Sequence, residues 1–166
     1  QIGVGIHVGE LMLGVIGEAE RMETTVISDA VNVTSRLERL TRRYEVGLVV
    51  SEHVMGKLTT RDQYKSRVLD KVQVKGHHEP LVVYEIFEGD AAELAQRKLS
   101  TQQDYEEALR LYYDRKFIQA NLLIAQALAQ DPDDRVLHLH QERIAGAVAR
   151  GVADDWTGVE VLADEG

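Results

Sequence analysis

Apolar and small side chains alternate at the start of the chain. Residues 2–8 carry isoleucine or valine at the even positions and glycine or histidine at the odd ones. This period of two predicts a β-strand with one small-residue face. A second apolar run at 11–16 follows the pair Gly9-Glu10 and is closed by Gly17. We therefore expect the two runs to form a hairpin.

A helix is predicted next. The short β-branched run 24–27 has the composition of a strand, and Ser28 or Asp29 can cap the helix that follows it. The apolar positions of that helix are Ala30, Val33, Leu37 and Leu40. Beyond it we predict strands at 47–50, 67–75 and 81–87, and a short helix capped by Ser51. Strands mixed with helices indicate an α+β fold.

The character of the chain changes near Gly89-Asp90. From about residue 91 to residue 150 the pattern is helical, with turns near 115–116 and 131–132, and Thr101 with Asp104 resembles a capping box. The residues that fall at tetratricopeptide spacing are Ala108, Phe117, Ala120, Ala127 and Pro132. One such unit must pack on a neighbour. We therefore predict three segments: 1–89, a helical tail at 90–150, and an acidic, extended and partly mobile end at 151–166.

Composition excludes several classes of function. The formal net charge of −9 argues against a general basic surface for nucleic acid. The chain has no cysteine, which removes disulfides, thiolate metal sites and cysteine nucleophiles. His138 and His140 are two apart on a predicted helix, so they do not share a face, and we expect both at the surface. The aromatic residues of the tail have helical spacing and are predicted to be core.

Candidate chemistry lies on the helix after the third predicted strand. Asn32 and Arg36 are four residues apart and share a face that Arg39 and Arg43 continue. An amide and a guanidinium together suit a ribose oxygen and a phosphoryl group. Spacing alone equally fits a solvated helix face. Lys75, between a strand and Gly76, is a further candidate for a ligand contact.

The order of these elements resembles a known family. The run 27–37, Ile-Ser-Asp-Ala-Val-Asn-Val-Thr-Ser-Arg-Leu, closely resembles the signature helix of class III adenylate and guanylate cyclases. Three further segments match in the right order: 5–10 with Gly14 and Gly17, 47–51, and 74–76 followed by 84–85. The resemblance covers roughly residues 2–88. It implies the C-terminal part of a partial ferredoxin-like cyclase domain of class α+β, followed by a hairpin-like helical tail.

The resemblance also implies roles for individual residues. Asn32 would orient the ribose, Arg36 would stabilise charge on the triphosphate, and Lys75 would hold the terminal phosphates. Arg21 would add a phosphate contact. Thr25 stands where many members place a base-selecting aspartate. Threonine there resembles the bicarbonate-responsive adenylate cyclase subgroup and favours ATP over GTP as substrate.

Other parts of the family's site are expected outside this sequence. The two aspartates that hold two Mg²⁺ or Mn²⁺ ions precede Gln1 in the family pattern, so the chain is interpreted as a fragment that is inactive alone. A second cyclase domain, in a homodimer, would complete the site. We expect a cytoplasmic protein, with any membrane anchor N-terminal to this chain, and a protein partner for the tail. The alternative is a non-catalytic interaction module with a degenerate cyclase portion.

Overall fold

The computed structural model describes residues 2–10, 12–18, 21–27, 29–74 and 79–162, and for residues 12–27 the description is of the backbone. The strands are β1 (Val4–Ile6), β2 (Met12–Glu18), β3 (Arg21–Ile27), β4 (Leu48–Ser51), β5 (Ser66–Val74), β6 (Leu81–Ile86) and β7 (Glu160–Leu162). The helices are α1 (Asp29–Tyr44), α2 (Glu52–Met55), α3 (Ala92–Tyr113), α4 (Phe117–Gln130) and α5 (Arg135–Arg150), with a 3-10 turn at Arg61–Gln63. The predicted α+β class is confirmed.

Five strands form a mixed sheet in the order β1-β4-β6-β5-β7. β4, β6 and β5 are antiparallel neighbours, while β1 runs parallel to β4 and β7 runs parallel to β5. The predicted hairpin between the first two apolar runs is wrong, because β2 pairs with β3. Only two residues separate β2 from β3 in sequence, and a connection that short favours antiparallel pairing.

α1 lies on the sheet through one apolar stripe. Its buried residues recur every three or four positions: Val33, Leu37, Leu40, Thr41 and Tyr44. This is the spacing of one face of an α-helix. The sequence placed the helix and most of this stripe correctly.

The helical tail packs directly on the sheet. One continuous hydrophobic core includes α1, β4, β5 and β6 together with α3, α4 and α5. Tyr105 of α3 donates its hydroxyl hydrogen to the Leu69 carbonyl at 3.1 Å, and Gln102 donates to the Ser66 carbonyl at 3.0 Å. Both acceptors lie on the part of β5 that β7 leaves unpaired. α3 therefore covers an edge of the sheet that would otherwise expose backbone groups.

Two predictions for the tail can be compared with its packing. Thr101 does not begin a helix: it is buried within α3, and its hydroxyl donates to the Lys98 carbonyl. The turn between α3 and α4 and the turn after α4 lie where the sequence predicted them. The helices approach through small buried residues, namely Ala108, Ala120 and Ala127. The tetratricopeptide interpretation and the three segment boundaries stay predictions.

The acidic end contributes to the fold. β7 lies within the segment that the sequence predicted to be extended, and it pairs with β5 from Val72 to Val74. The indole ring of Trp156 packs against the rings of Tyr112 and Phe117, with centroid distances of 5.0 and 5.2 Å. The predicted core role of the tail aromatics is thus confirmed. Among the described residues, no helix has the length and apolar character needed to cross a bilayer.

A buried charge cluster joins the tail to the sheet. The Arg67 side chain on β5 is fully buried, and its guanidinium donates to Glu85 of β6 at 2.7 Å and to Asp134 at 2.5 Å. Lys98 of α3 donates to Glu85 at 2.5 Å and to Asp90 at 2.6 Å. Asp134 is also the N-cap of α5, because its carboxylate accepts the Val136 amide hydrogen. Each buried charge therefore has a partner of opposite sign, as burial requires.

Replacing Arg67 with Met should severely destabilise the chain. The carboxylate of Asp134 would lose its buried cation, and removing one partner of a buried ion pair typically costs about 3–5 kcal/mol. The matched control is Arg42→Met, since Arg42 pairs with Glu38 at 2.9 Å on the exposed side of α1. A pair of that kind contributes only about 0.3–0.5 kcal/mol. The free energy of unfolding from urea denaturation measures both, and equal losses would contradict the buried role of Arg67.

Candidate functional site

The two predicted catalytic residues lie on the N-terminal half of α1. Asn32 is exposed and Arg36 is partly buried, each next to a residue of the buried stripe, Val33 or Leu37. Four residues of α-helix advance about 6 Å along the axis, so the two side chains lie one turn apart on the same side. Their arrangement suits a ligand that spans a sugar and its phosphates.

Close contact with β1 fixes where α1 lies. A Cβ atom on Gly5 would come within 2.5 Å of the Glu38 amide nitrogen and 2.8 Å of the Thr34 carbonyl oxygen. Both contacts are with the backbone of α1, which cannot rotate away as a side chain can. The small-residue face predicted for the first strand is therefore the surface on which α1 lies.

Two arginines near the end of α1 pair with acidic residues from different parts of the chain. Arg42 pairs with Glu38 within the helix, and Arg43 pairs with Glu160 of β7 at 2.5 Å. The sequence grouped Arg43 with Arg36 on one face. The structure gives Arg43 an acidic partner from the end of the chain, so its charge is already compensated.

Thr25, the predicted base-selecting residue, lies on β3, the strand that directly precedes α1. Thr25 lies opposite Gly14 in the β2–β3 pair, two residues before β3 ends, and α1 begins at Asp29. Arg21 lies opposite Glu18 at the other end of β3. Lys75 lies outside the described residues. The roles assigned to these three side chains therefore stay predictions.

No metal site is formed within the described ranges. In residues 2–10, 29–74 and 79–162, no group of three or more histidine or acidic side chains can hold a metal ion. The prediction that His140 lies at the surface is wrong, because α5 packs it fully inside the core. Its Nε2 atom donates to the Leu69 carbonyl at 2.9 Å, and its Nδ1 atom has no hydrogen-bond partner. Burial lowers the pKa of His140, so the ring is neutral at neutral pH.

A family model covers the segment that carries α1. The model for the adenylate and guanylate cyclase catalytic domain matches residues 1–87, which include β1, the β2–β3 hairpin and all of α1. The chain belongs to this cyclase family. The resemblance inferred from the signature helix is thereby confirmed.

One of two curated relatives matches a longer stretch of the chain than the family model does. The chain is 41% identical over 86 residues to an adenylate cyclase of Anabaena cylindrica, covering 51% of the chain and 17% of the relative. It is 33% identical over 113 residues to the terminal-differentiation specific adenylate cyclase of Dictyostelium discoideum, covering 68% of the chain and 5% of the relative. Since 113 residues exceed the 87 of the family model, the second match extends into the helical tail.

Two solved structures that resemble the chain are also cyclases. A bacterial light-regulated adenylyl cyclase is 28% identical, with a TM-score of 0.44 over 57% of this chain and 27% of that one. The adenylyl cyclase CyaB from P. aeruginosa is 30% identical, with a TM-score of 0.40 over 49% of this chain and 40% of that one. The chain spans about a sixth or less of the length of the curated relatives described above.

Substituting Gly5 with Ala should displace α1 from the sheet. The new methyl group overlaps the backbone of α1, and forcing an extra carbon into a packed site typically costs about 1–3 kcal/mol. Gly47→Ala is the control, because a Cβ atom there meets nothing within 4 Å. That substitution should leave stability unchanged or raise it by up to about 1 kcal/mol. Thermal denaturation of both variants is the measurement, and a Gly5→Ala variant as stable as the parent would refute the close contact.

Proposed function

We propose that this chain is the C-terminal part of the catalytic domain of an adenylate cyclase, which converts ATP to cyclic AMP and pyrophosphate. The observation that carries the proposal is the position of Asn32 and Arg36. They lie one turn apart on a helix seated on the glycine face of β1, within the segment that matches the cyclase family model. The two curated relatives described above are named adenylate cyclases, which supports adenylate rather than guanylate cyclase activity.

The proposed reaction is an internal displacement at phosphorus. The ribose 3′-oxygen loses its proton and bonds to the α-phosphorus, while the bond from that phosphorus to the oxygen bridging the β-phosphate breaks and pyrophosphate leaves. Negative charge shifts onto the phosphate oxygens as the leaving group departs. A fixed guanidinium at that position stabilises the transition state more than the ground state, and we assign this role to Arg36. We assign orientation of the ribose to Asn32, whose amide both donates and accepts hydrogen bonds.

Three further residues complete the proposed nucleotide contacts. Lys75 holds the terminal phosphates as a point charge, and Arg21 adds a phosphate contact. Thr25 hydrogen-bonds the adenine edge through its hydroxyl group. A hydroxyl brings no charge into the pocket, which distinguishes it from the aspartate more common at this position in the family.

Divalent metal ions belong to the family's chemistry but find no fitting group of ligands within the described ranges. We therefore assign no step of the mechanism to a metal through these residues. We propose that the aspartates that hold two Mg²⁺ or Mn²⁺ ions come from the N-terminal half of the catalytic domain, supplied by a second cyclase domain in a homodimer. On this proposal the chain on its own produces no cyclic AMP.

We propose that the cyclase portion comprises residues 1–89 and the helical tail residues 90–150. The alternative is an interaction module whose cyclase portion no longer catalyses. The two differ in what Arg36 does, so substitution at Arg36 separates them.

Arg36→Ala in a complete catalytic domain carrying this chain should lower kcat about 10²–10³-fold, the usual effect of removing one preorganised donor to developing charge. KM for ATP should change much less, because the contact strengthens only in the transition state. Cyclic AMP formation under saturating ATP measures the effect. Arg42→Ala is the control, since Arg42 lies on the same helix and its partner is Glu38. Equal activity in both variants would show that Arg36 does not act in catalysis, and no cyclic AMP from the unsubstituted domain would favour the interaction-module alternative. The isolated chain serves as the expected inactive reference.

Thr25→Val in the same complete domain tests the choice of base. Valine keeps the shape but removes the hydroxyl group, so a polar edge of adenine is left unpaired, at a typical cost of about 1–3 kcal/mol. Thr24→Val is the matched control, because it makes the same chemical change at the adjacent residue of β3. The measurement compares the turnover of ATP and GTP side by side. Thr25→Asp should retain adenylate cyclase activity. If Thr25→Val turned over ATP like the parent, Thr25 would not recognise the base.

A further inference from the structure

The last turn of α1 is held by residues from the far end of the chain. Tyr44 ends α1 and is buried, and its hydroxyl donates to Asp70 of β5. Arg143 of α5 donates to the same Asp70 oxygen at 2.6 Å and to the Tyr44 oxygen at 3.0 Å. Arg143 therefore bridges the catalytic helix and the sheet from within the tail.

A second contact adds β7 to this group. Glu160 lies 2.5 Å from Arg43 of α1 through one carboxylate oxygen and 3.6 Å from Arg143 through the other. We call the five residues Arg43, Tyr44, Asp70, Arg143 and Glu160 the tail clamp. Two of its members belong to α1, Arg143 belongs to the helical tail and Glu160 to β7 in the acidic end. The clamp therefore ties the helix to residues 99 and 117 positions away in sequence.

The contact between Arg143 and Asp70 is buried rather than a surface ion pair, whereas the ion pair between Arg43 and Glu160 is partly exposed. Asp70 is fully buried, and only 16% of the Arg143 side chain is exposed. Burial pushes the pKa of Asp70 up, but nearby positive charge and two side-chain hydrogen bonds hold it below its ordinary value. Arg143 supplies that charge, because burial keeps His140 neutral. The carboxylate thus stays ionised and continues to hold both α1 and α5.

The clamp lies two turns of helix from Arg36. Eight residues separate Arg36 from Tyr44, which is about 12 Å along a helix axis. At its other half α1 rests on the glycine face of β1, where the Gly5 contact leaves no space for a shift toward the sheet. A helix fixed by its contact with β1 and by the clamp cannot slide or rotate without breaking one of them.

We propose that Arg143 and Glu160 are positioning residues for the nucleotide site, through which the helical tail and β7 fix where α1 presents Asn32 and Arg36. This inference rests on the proposed cyclase function, and it assigns the tail a role within the catalytic domain itself. The match to the Dictyostelium cyclase, which extends past the family model into the tail, agrees with a tail that accompanies the site.

Glu160→Gln is the principal test. It removes the charge that holds Arg43 while keeping the size of the side chain, and Glu160 is partly exposed, so no buried carboxylate loses its cation. Arg43→Gln breaks the same contact from the side of α1. Arg143→Met would leave the buried Asp70 without its cation and destabilise the fold, so Arg143→Lys, which keeps the charge, is used instead. Glu107→Gln is the control, because Glu107 forms an ion pair with Arg110 within α3, away from α1.

The kinetic measurement uses the complete catalytic domain carrying this chain. Displacement of a catalytic group by about 1 Å can cost up to about 10²-fold in rate, and we expect Glu160→Gln and Arg43→Gln each to lower kcat about 10-fold. KM for ATP should change less than about threefold, and Arg143→Lys should retain more activity than Glu160→Gln. Glu107→Gln should leave both constants unchanged. An unchanged kcat in the Glu160→Gln and Arg43→Gln variants would overturn the proposal.

A double-variant measurement separates positioning from general loss of structure. If the clamp acts through Arg36, Glu160→Gln should lower kcat far less in an Arg36→Ala background than in the parent, because residues that act as a unit are not additive. A merely structural role would lower kcat by the same factor in both backgrounds, and that result would contradict the proposal.

Amide hydrogen exchange of α1 gives a readout that does not depend on catalysis. In the Glu160→Gln variant, exchange at the last two turns of α1 should accelerate while exchange in α4 stays unchanged, as expected for local opening. Unchanged protection of α1 would show that the tail does not hold the helix. If the unsubstituted protein made no cyclic AMP, the cyclase proposal would fail, and exchange would still decide whether the clamp holds α1.

Discussion

The fold depends on a single buried arginine. Arg67 lies on β5 with no exposed side-chain surface, and its two carboxylate partners come from β6 and from the N-cap of α5. Burial works against the charged form, but Glu85 and Asp134 raise the pKa of Arg67 above its ordinary value. A charge removed from water in this way is tolerated only with both partners in place. The sheet and the tail therefore form one cooperative unit, in which the tail supplies part of the interior of the cyclase portion.

A second buried charged residue, Asp70, is held by a similar arrangement beneath α1. Asp70 binds Tyr44 from α1 and Arg143 from α5, as Arg67 binds partners from β6 and from the N-cap of α5. In both places a charged group inside the sheet contacts the tail through hydrogen bonds with defined directions. Apolar packing alone would permit small sliding of α5 over the sheet. Directional bonds to a fixed carboxylate select one placement of α5 and of the end of α1.

Local sequence patterns predicted most helices and strands, but not every strand pairing or buried contact. α1, β4, β5, β6 and the three helices of the tail follow from periodicity, because that signal depends only on neighbours along the chain. The pairing of β2 with β3, the burial of His140 and the mid-helix position of Thr101 were missed. Strand pairing and burial are decided by residues far apart in sequence, and a threonine can cap one helix or bond to the backbone within another. The nucleotide site was inferred from motif order, since spacing on α1 alone fitted a solvated face equally well.

Helical spacing alone groups more arginines of α1 with a phosphate site than their tertiary contacts support. Arg36 and Arg43 share a helix face by their periodicity, and both are guanidinium groups suited to an anion. Arg43, however, finds its anion within the chain, in Glu160, a partner 117 residues away that no helical pattern could supply. This ion pair compensates the charge of Arg43. It also attaches the end of α1 to β7. A cation near a nucleotide site can therefore act on the substrate directly or act by holding the helix that presents another cation, and only the tertiary partners distinguish the two roles.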